Sequence, residues 1–207
     1  MEDEPRHDDS DIIDSQHASL DKYMRLNSVY LLVLSKYKDY IEEKEELSVA
    51  ELPTLVTPKA PMVTRKAAEI KGEFENYDYD ANFYDASLKA FDFVSKSVDD
   101  LSLPLEFWLM PEETLHFMLG DITDKSILLC SLLIALGNPS AKVVVVSRDS
   151  MRNIYVYYEF SGHIVMMDMD NGSHTDLGSR DEMLGSFKLD DESTAYEFND
   201  QMYVDIG

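Results

Sequence analysis

The stretch Gly120–Gly137, GDITDKSILLCSLLIALG, places acidic residues at the mouth of an apolar helix. Asp121 is positioned as an N-cap, and Asp124 adds negative charge to the first turn. From Ile127 to Leu136 nearly every side is apolar, as in a helix buried at the centre of a domain. The positive end of such a helix suits a cysteine nucleophile, because it favours thiolate over thiol. The residue there is Ile122, which has no lone pair or ionisable proton for nucleophilic chemistry. Cys130 is the only cysteine. In a continuous helix it lies about 12 Å along the axis from Ile122 and about 80° around it. It reads as a buried apolar group rather than a displaced nucleophile.

Three further groups of residues could carry chemistry. Asp168, Asp170, Asn171 and Asp176 make an oxygen-rich stretch of the kind that can bind Ca²⁺. Their offsets do not match an EF-hand loop: the glycine is misplaced and no bidentate glutamate closes the run. An acidic turn in an acidic protein is the expectation, with Asp168, Asp170 and Asp176 as the candidate ligands if a metal binds. His163 and His174 could join them, but the five histidines show no close paired spacing. No metal and no cofactor is expected. Tyr155 and Tyr157 alternate with Tyr158 and Phe160, which puts the pairs on opposite faces of a strand. Cross-strand packing is their expected role, and an aromatic ligand wall is the alternative. There is no glycine-rich phosphate loop and no Gly-x-Ser-x-Gly elbow.

The helix opening resembles the transglutaminase-like superfamily, the papain-like group with microbial and archaeal members. In that family the opening reads roughly Gly-Asp-Cys-x-Asp-Lys, then a small residue, then apolar residues to Leu-Gly. Ser126, Leu128, Leu129, Leu132, Leu133, Leu136 and Gly137 follow in register. Upstream, Pro111-Glu112-Glu113-Thr114-Leu115 resembles the family's Pro-x-Glu-Thr-Leu segment. The resemblance puts Ile122 at the nucleophile position. It aligns Asn153-Ile154-Tyr155-Val156-Tyr157-Tyr158 with the strand that opens on the catalytic histidine, so Asn153 takes that place. It aligns Ile164–Asp168 with the strand that ends on the third catalytic residue, so Asp168 is retained. An asparagine amide cannot serve as a general base near neutral pH.

Composition narrows the setting. Among 207 residues, 41 acids face 18 lysines and arginines, for a net charge of −23. That balance excludes a nucleic-acid surface and an anionic membrane surface, both of which need basic side chains. It suits solubility, or docking of a basic protein or peptide partner. A lone cysteine excludes an intramolecular disulfide and favours a reducing compartment. The first seventeen residues are acidic and mostly polar, so no signal peptide is read, and no apolar run reaches the ~18 residues of a membrane span. A cytoplasm is the expected setting.

These residues require elements to hold them. Residues 1–17 read as an acidic, disordered tail. Leu20–Leu47 reads as a long helix, with Leu26, Tyr30, Leu34, Tyr37 and Ile41 at helical spacing. Pro53, Pro58 and Pro61 then predict an extended connector. Shorter helices are expected over Val63–Glu75 and Phe83–Val98, the latter with Asp80 as a cap, and a loop holding Trp108 between Pro104 and Pro111. The buried helix ends at Gly137. Strands follow over Lys142–Val146, Ile154–Phe160 and His163–Met169, with Ser161-Gly162 as a tight turn. Ala195–Phe198 and Met202–Ile206 make a second hairpin around Asn199-Asp200. The expected fold class is α+β, a transglutaminase-like core with a central buried helix on an antiparallel sheet, preceded by a helical extension. The domains are 1–17, a helical extension with connector at 18–76, and the core at 77–207.

The expected function is a non-catalytic binding or structural module, a pseudoenzyme. The alternative is an active amidase, protease or transamidase using an unrecognised nucleophile or a metal. The chain is expected as a monomer, or as a dimer through its N-terminal helix. At −23, self-repulsion should lower the melting temperature in very dilute buffer. Raising ionic strength to about 0.1 M, where the Debye length is ~10 Å, should raise it, as read by thermal melts. A flat or falling curve would remove charge as a stability burden.

Overall fold

The computed structural model describes residues 9–43, 51–102, 108–148 and 151–207, with side chains of the first stretch described over 19–36. It divides into two compact units, 1–45 and 46–207. The first is a single helix, α1 (Asp9–Glu43). It starts within the stretch expected as a disordered tail, since Ile12, Ile13 and the flanking acids are compatible with helix; residues 1–8 lie outside the described ones. Leu20, Tyr23, Met24, Leu31 and Leu34 are each more than half exposed along it.

The second unit opens with α2 (Leu52–Leu55) and α3 (Pro61–Gly72). The prolines do not produce an extended connector here. Pro53 and Pro61 sit in the first turns of their helices, where a missing N–H leaves no bond unmade. Leu52, Leu55, Val56, Val63, Ala67 and Ile70 belong to the main core. The backbone N–H of Thr57 donates to Ser131 Oγ on the central helix at 3.1 Å. These segments belong to the same compact unit as the helix and sheet that follow.

Helix α4 (Tyr79–Ser97) is capped by Asp78, not Asp80: the Asp78 carboxylate accepts from Ala81 N at 3.0 Å. Its buried face runs through Phe83, Ala86, Ser87, Ala90, Phe91 and Val94. Three of these are small, which lets neighbouring elements approach closely. The Ser87 and Tyr158 hydroxyls meet at 2.6 Å, so the buried tyrosine keeps a partner. A two-residue parallel pairing joins β1 (Asp99–Asp100) to β2 (Leu119–Gly120), and α5 (Pro111–Phe117) lies between them.

The central helix is α6 (Ile122–Leu136), buried along nearly its whole length. Gly137 closes it at φ 120°, a conformation that favours glycine, and a Cβ there would meet Tyr79 at 3.1 Å. Six strands follow: β3 (Lys142–Arg148), β4 (Met151–Phe160), β5 (His163–Asp168), β6 (Ser173–Leu177), β7 (Ser193–Phe198) and β8 (Tyr203–Asp205). They form one antiparallel sheet in the order β6-β5-β4-β3-β7-β8. Ser161 and Gly162 have φ of 51° and 79°, the tight turn expected between β4 and β5. The fold is α+β, with a central buried helix packed on an antiparallel sheet.

Strand alternation separates two layers. Ile154, Val156, Tyr158, Val165 and Met167 face the helical core. Val144, Val146, Tyr157, Ile164 and Ala195 face α7 (Arg180–Ser186), with Met183, Leu184 and Phe187 as their cover. The α7 layer also buries Glu197, whose side chain is 2% exposed. Glu197 accepts from Lys142 Nζ at 2.7 Å, Tyr157 Oη at 2.8 Å and Arg180 Nη1 at 2.9 Å. Neither β6, α7 nor this network was expected from the sequence.

Removing the shared acceptor would leave two cations without their carboxylate, with only the bond from Arg180 Nη1 to Tyr157 Oη at 3.0 Å remaining. Glu197→Ala should cost about 3 kcal/mol in denaturant unfolding, the low end for a broken buried pair because Arg180 and Lys142 keep some water. A loss under ~1 kcal/mol would show that the network does not anchor α7.

Candidate functional site

The site is built from the entrance of α6. Asp121 Oδ1 accepts from Asp124 N at 2.9 Å, and Asp124 Oδ2 accepts from Asp121 N at 3.0 Å, a reciprocal cap. The other Asp124 oxygen accepts from Leu109 N at 2.7 Å, which pins the loop beside Trp108 to the helix entrance. Gly120 is required by packing: a Cβ there would lie 3.0 Å from Asp124 Cβ and 3.1 Å from Thr114 Cγ2. The Pro111–Leu115 segment is equally structural. Glu113 accepts from Met110 N at 2.9 Å, Glu112 accepts from Met62 N at 3.1 Å, and Thr114 and Leu115 are buried. Lys125 is buried and pairs with exposed Asp100.

Asp124 is 1% exposed. Burial, and after it the neighbouring Asp121 charge, push its carboxyl up to about 8, against the pull of the two backbone N–H groups.

Ile122, the position that the resemblance gives to a nucleophile, is in the first turn of α6. It lines a pocket of about 120 Å³ with Arg152, Asn153, Ile154, Tyr155, Asp168, Asp170 and Asn171. The three positions singled out by the sequence resemblance, Ile122, Asn153 and Asp168, thus lie around one pocket. Their orientation differs from the expectation. Asp168 pairs with Tyr155 across β4 and β5, and Tyr155 packs toward the α7 layer, stacked on Phe187 at 5.5 Å. Asn153 and Asp168 share that parity. The position facing α6 belongs to Arg152, on the parity of Ile154 and Val156. Its guanidinium lies 5.5 Å from the centre of the Trp108 ring, and one nitrogen donates to Tyr196 Oη at 3.1 Å. Neighbouring strand residues point to opposite faces, so Arg152 and Asn153 reach the pocket from the two sides of β4.

Asn153 makes no hydrogen bond to Asp168. Asn153 is exposed and its amide needs no protein partner. Asp168 is held within its own turn: Oδ1 accepts from Asp170 N at 2.9 Å and Asn171 N at 3.1 Å, and Oδ2 accepts from Asn171 Nδ2 at 2.7 Å. Asp176 does not join it. It lies on the opposite face of β6 from Ser173, the residue paired with Asp168, and it contacts His163 at 3.4 Å. Asp168 and Asp170 thus share the pocket without Asp176, and no cluster of three or more His, Cys, Asp or Glu is arranged for a metal among the described residues. His174 packs edge-on against Phe91, and neither histidine lines the pocket. Burial, followed by the charges of Asp168 and Asp170, pushes the Tyr155 hydroxyl up.

Cys130 is fully buried, and burial pushes its thiol well above the ordinary range. Arg152 was missed by the sequence reading. Polarity along β4 carried no signal for it, since both faces are apolar from Ile154 onward.

Asp124 offers a pH test. Its folded pKa lies above the unfolded value, so the folded state keeps the proton while the unfolded state loses it. Stability from this group is full below about pH 4 and falls as pH rises to about 8. Asp124→Asn leaves one backbone N–H without an acceptor and should cost ~1–3 kcal/mol at pH 5. The difference between the two proteins should narrow toward pH 8 in paired melts. A gap that widens would mean that the backbone bonds hold Asp124 ionised.

No helix among the described residues is long and apolar enough to cross a membrane. No protein-family model matches the chain, and no curated protein matches it. Among solved structures the chain is similar to Legionella pneumophila LapG, with 16% identity, a TM-score of 0.48, and coverage of 76% of this chain and 87% of that one. It is similar to the calcium-bound form of LapG at 14% identity and a TM-score of 0.44, covering 68% and 86% of the two chains. It is also similar to a Cytophaga hutchinsonii protein described as a candidate cysteine protease, at 15% identity and a TM-score of 0.45 over 78% of this chain and 55% of that one.

Proposed function

We propose that the protein is a transglutaminase-like chain whose cleft, between the start of α6 and β4, binds a peptide or protein segment without cleaving or transferring it. The pocket at the helix entrance carries the reading: Ile122, which the resemblance aligns with the nucleophile, lines it together with Arg152 and Asn153. None of the three can act as nucleophile or general base near neutral pH. A guanidinium stays protonated, an amide has no basic lone pair of use, and an alkyl group has neither. The thiol route is closed by the burial of Cys130 in the middle of α6.

The cleft has the features of a binding site. Strand β4 pairs with β3 down to Met151, but its pairing with β5 stops at Tyr155. Met151–Ile154 therefore have no β5 partner on the pocket side. Such an edge can accept an extended segment by backbone hydrogen bonds. A basic partner suits a chain carrying −23, and a reducing cytoplasm suits its lone thiol.

Purified protein should show no thiol-dependent hydrolysis or transamidation of peptide amides, and blocking agents should leave this baseline unchanged. Cys130 should react with iodoacetamide at a small fraction of the rate of a free thiol, rising to it on unfolding. Turnover abolished by iodoacetamide at native Cys130 would overturn the reading. Peptide binding should change the emission of Trp108, the single tryptophan, because its ring lies against Arg152 at the pocket.

A further inference from the structure

We propose that the pocket holds the carboxyl terminus of an extended peptide ending in lysine or arginine, with the terminal carboxylate on Arg152 and the basic side chain on Asp170. This rests on the reading of the cleft as a peptide site and adds what it recognises there.

Opposite charges line one small pocket without pairing. Arg152 makes a ring contact with Trp108 and one hydrogen bond to the neutral Tyr196 hydroxyl, and no carboxylate pairs with it among the described residues. Elsewhere the fold pairs its cations readily, as in Lys89–Glu73, Lys96–Asp92 and Lys142–Glu197. The stack and the hydroxyl hold the guanidinium in place and use one of its nitrogens, leaving other donors for a planar anion. On the acidic side, Asp168 spends its oxygens on Asp170 N, Asn171 N and Asn171 Nδ2. Asp170 contributes only its backbone N–H to that turn, so its carboxylate is the acid left for a ligand. A ligand that satisfies both ends carries both charges.

Strand direction decides which end of a peptide arrives. Both neighbours of β4 are antiparallel to it, and β5 residue numbers rise as β4 numbers fall, from Tyr158↔Val165 to Tyr155↔Asp168. A segment added in the same sense beside Met151–Ile154 runs toward Met151 and brings its carboxyl end to Arg152. The volume of about 120 Å³ lies well below the ~300 Å³ at which small-molecule pockets begin. It suits one terminal residue rather than a chain passing through.

The test uses the full-length protein and four acetylated tripeptides at 0.15 M salt: Ala-Ala-Lys with a free carboxylate, the same peptide as its amide, Ala-Ala-norleucine, and the permuted Lys-Ala-Ala with a free carboxylate. Affinities are read by calorimetry, with Trp108 emission as a second signal. The free-acid Ala-Ala-Lys should bind at least about tenfold more tightly than each of the others, the weight of one charge-assisted hydrogen bond. Arg152→Gln should abolish the preference for acid over amide and keep that for lysine over norleucine. Asp170→Asn should do the reverse. Both side chains are on exposed residues, so unchanged melting temperatures confirm that the variants fold. Equal binding of Ala-Ala-Lys and Lys-Ala-Ala would reduce the effect to bulk charge and overturn the inference. Equal binding of all four would overturn it as well while leaving the cleft a peptide site. Absence of binding by any peptide would remove the cleft reading along with it.

Discussion

Both oxygens of one buried carboxylate are committed to the backbone, and the cleft depends on them. Asp124 holds the N–H of Asp121 at the mouth of α6 and the N–H of Leu109 in the preceding loop. Through Leu109 it positions Trp108, and Trp108 in turn covers one side of Arg152. The polar residues of the helix opening are thus structural. Gly120, Asp121, Asp124 and Thr114 are each required by contacts or hydrogen bonds of the fold. Ile122 packs against the core and also lines the pocket, while its carbonyl accepts from Ser126 Oγ at 2.7 Å.

Much of the core was legible because it obeys short-range rules. The helix from Asp121 to Gly137 shows its cap, its apolar length and its glycine stop in seventeen consecutive residues. The Ser161-Gly162 hairpin needs only two residues with positive φ. What was missed depends on distant partners. Pro53 and Pro61 look like helix breakers until they are placed at first-turn positions. Strand β6, Ser-His-Thr-Asp-Leu, has one buried residue, so its alternation carries almost no signal. Glu197 sits in a strand between tyrosine and phenylalanine, and only Lys142, Tyr157 and Arg180 make its burial tolerable.

Ile122, Asn153 and Asp168, the positions taken from the resemblance, line one pocket. Which of Arg152 and Asn153 faces α6 was not legible, because a run such as Arg-Asn-Ile-Tyr-Val-Tyr-Tyr is apolar on both faces from Ile154 onward. Both layers of this fold are apolar, so alternation of polarity could not choose between registers. Nothing shorter than the full sheet pairing distinguishes Arg152 from Asn153.

That pairing gives the turn at Ser161-Gly162 an influence on a surface at the other end of its strand. β4 is read out in two alternating sets: Arg152, Ile154, Val156 and Tyr158 toward α6, and Asn153, Tyr155 and Tyr157 toward α7. The turn sets the phase of both. A single residue inserted into the strand between turn and cleft, absorbed without a bulge, would exchange the sets, presenting an amide where the guanidinium stands. Such an event would rewrite the cleft's chemistry without altering one of its own codons. Inheritance of a binding preference in this architecture therefore runs through hairpin length as much as through the identity of the residues that touch a ligand.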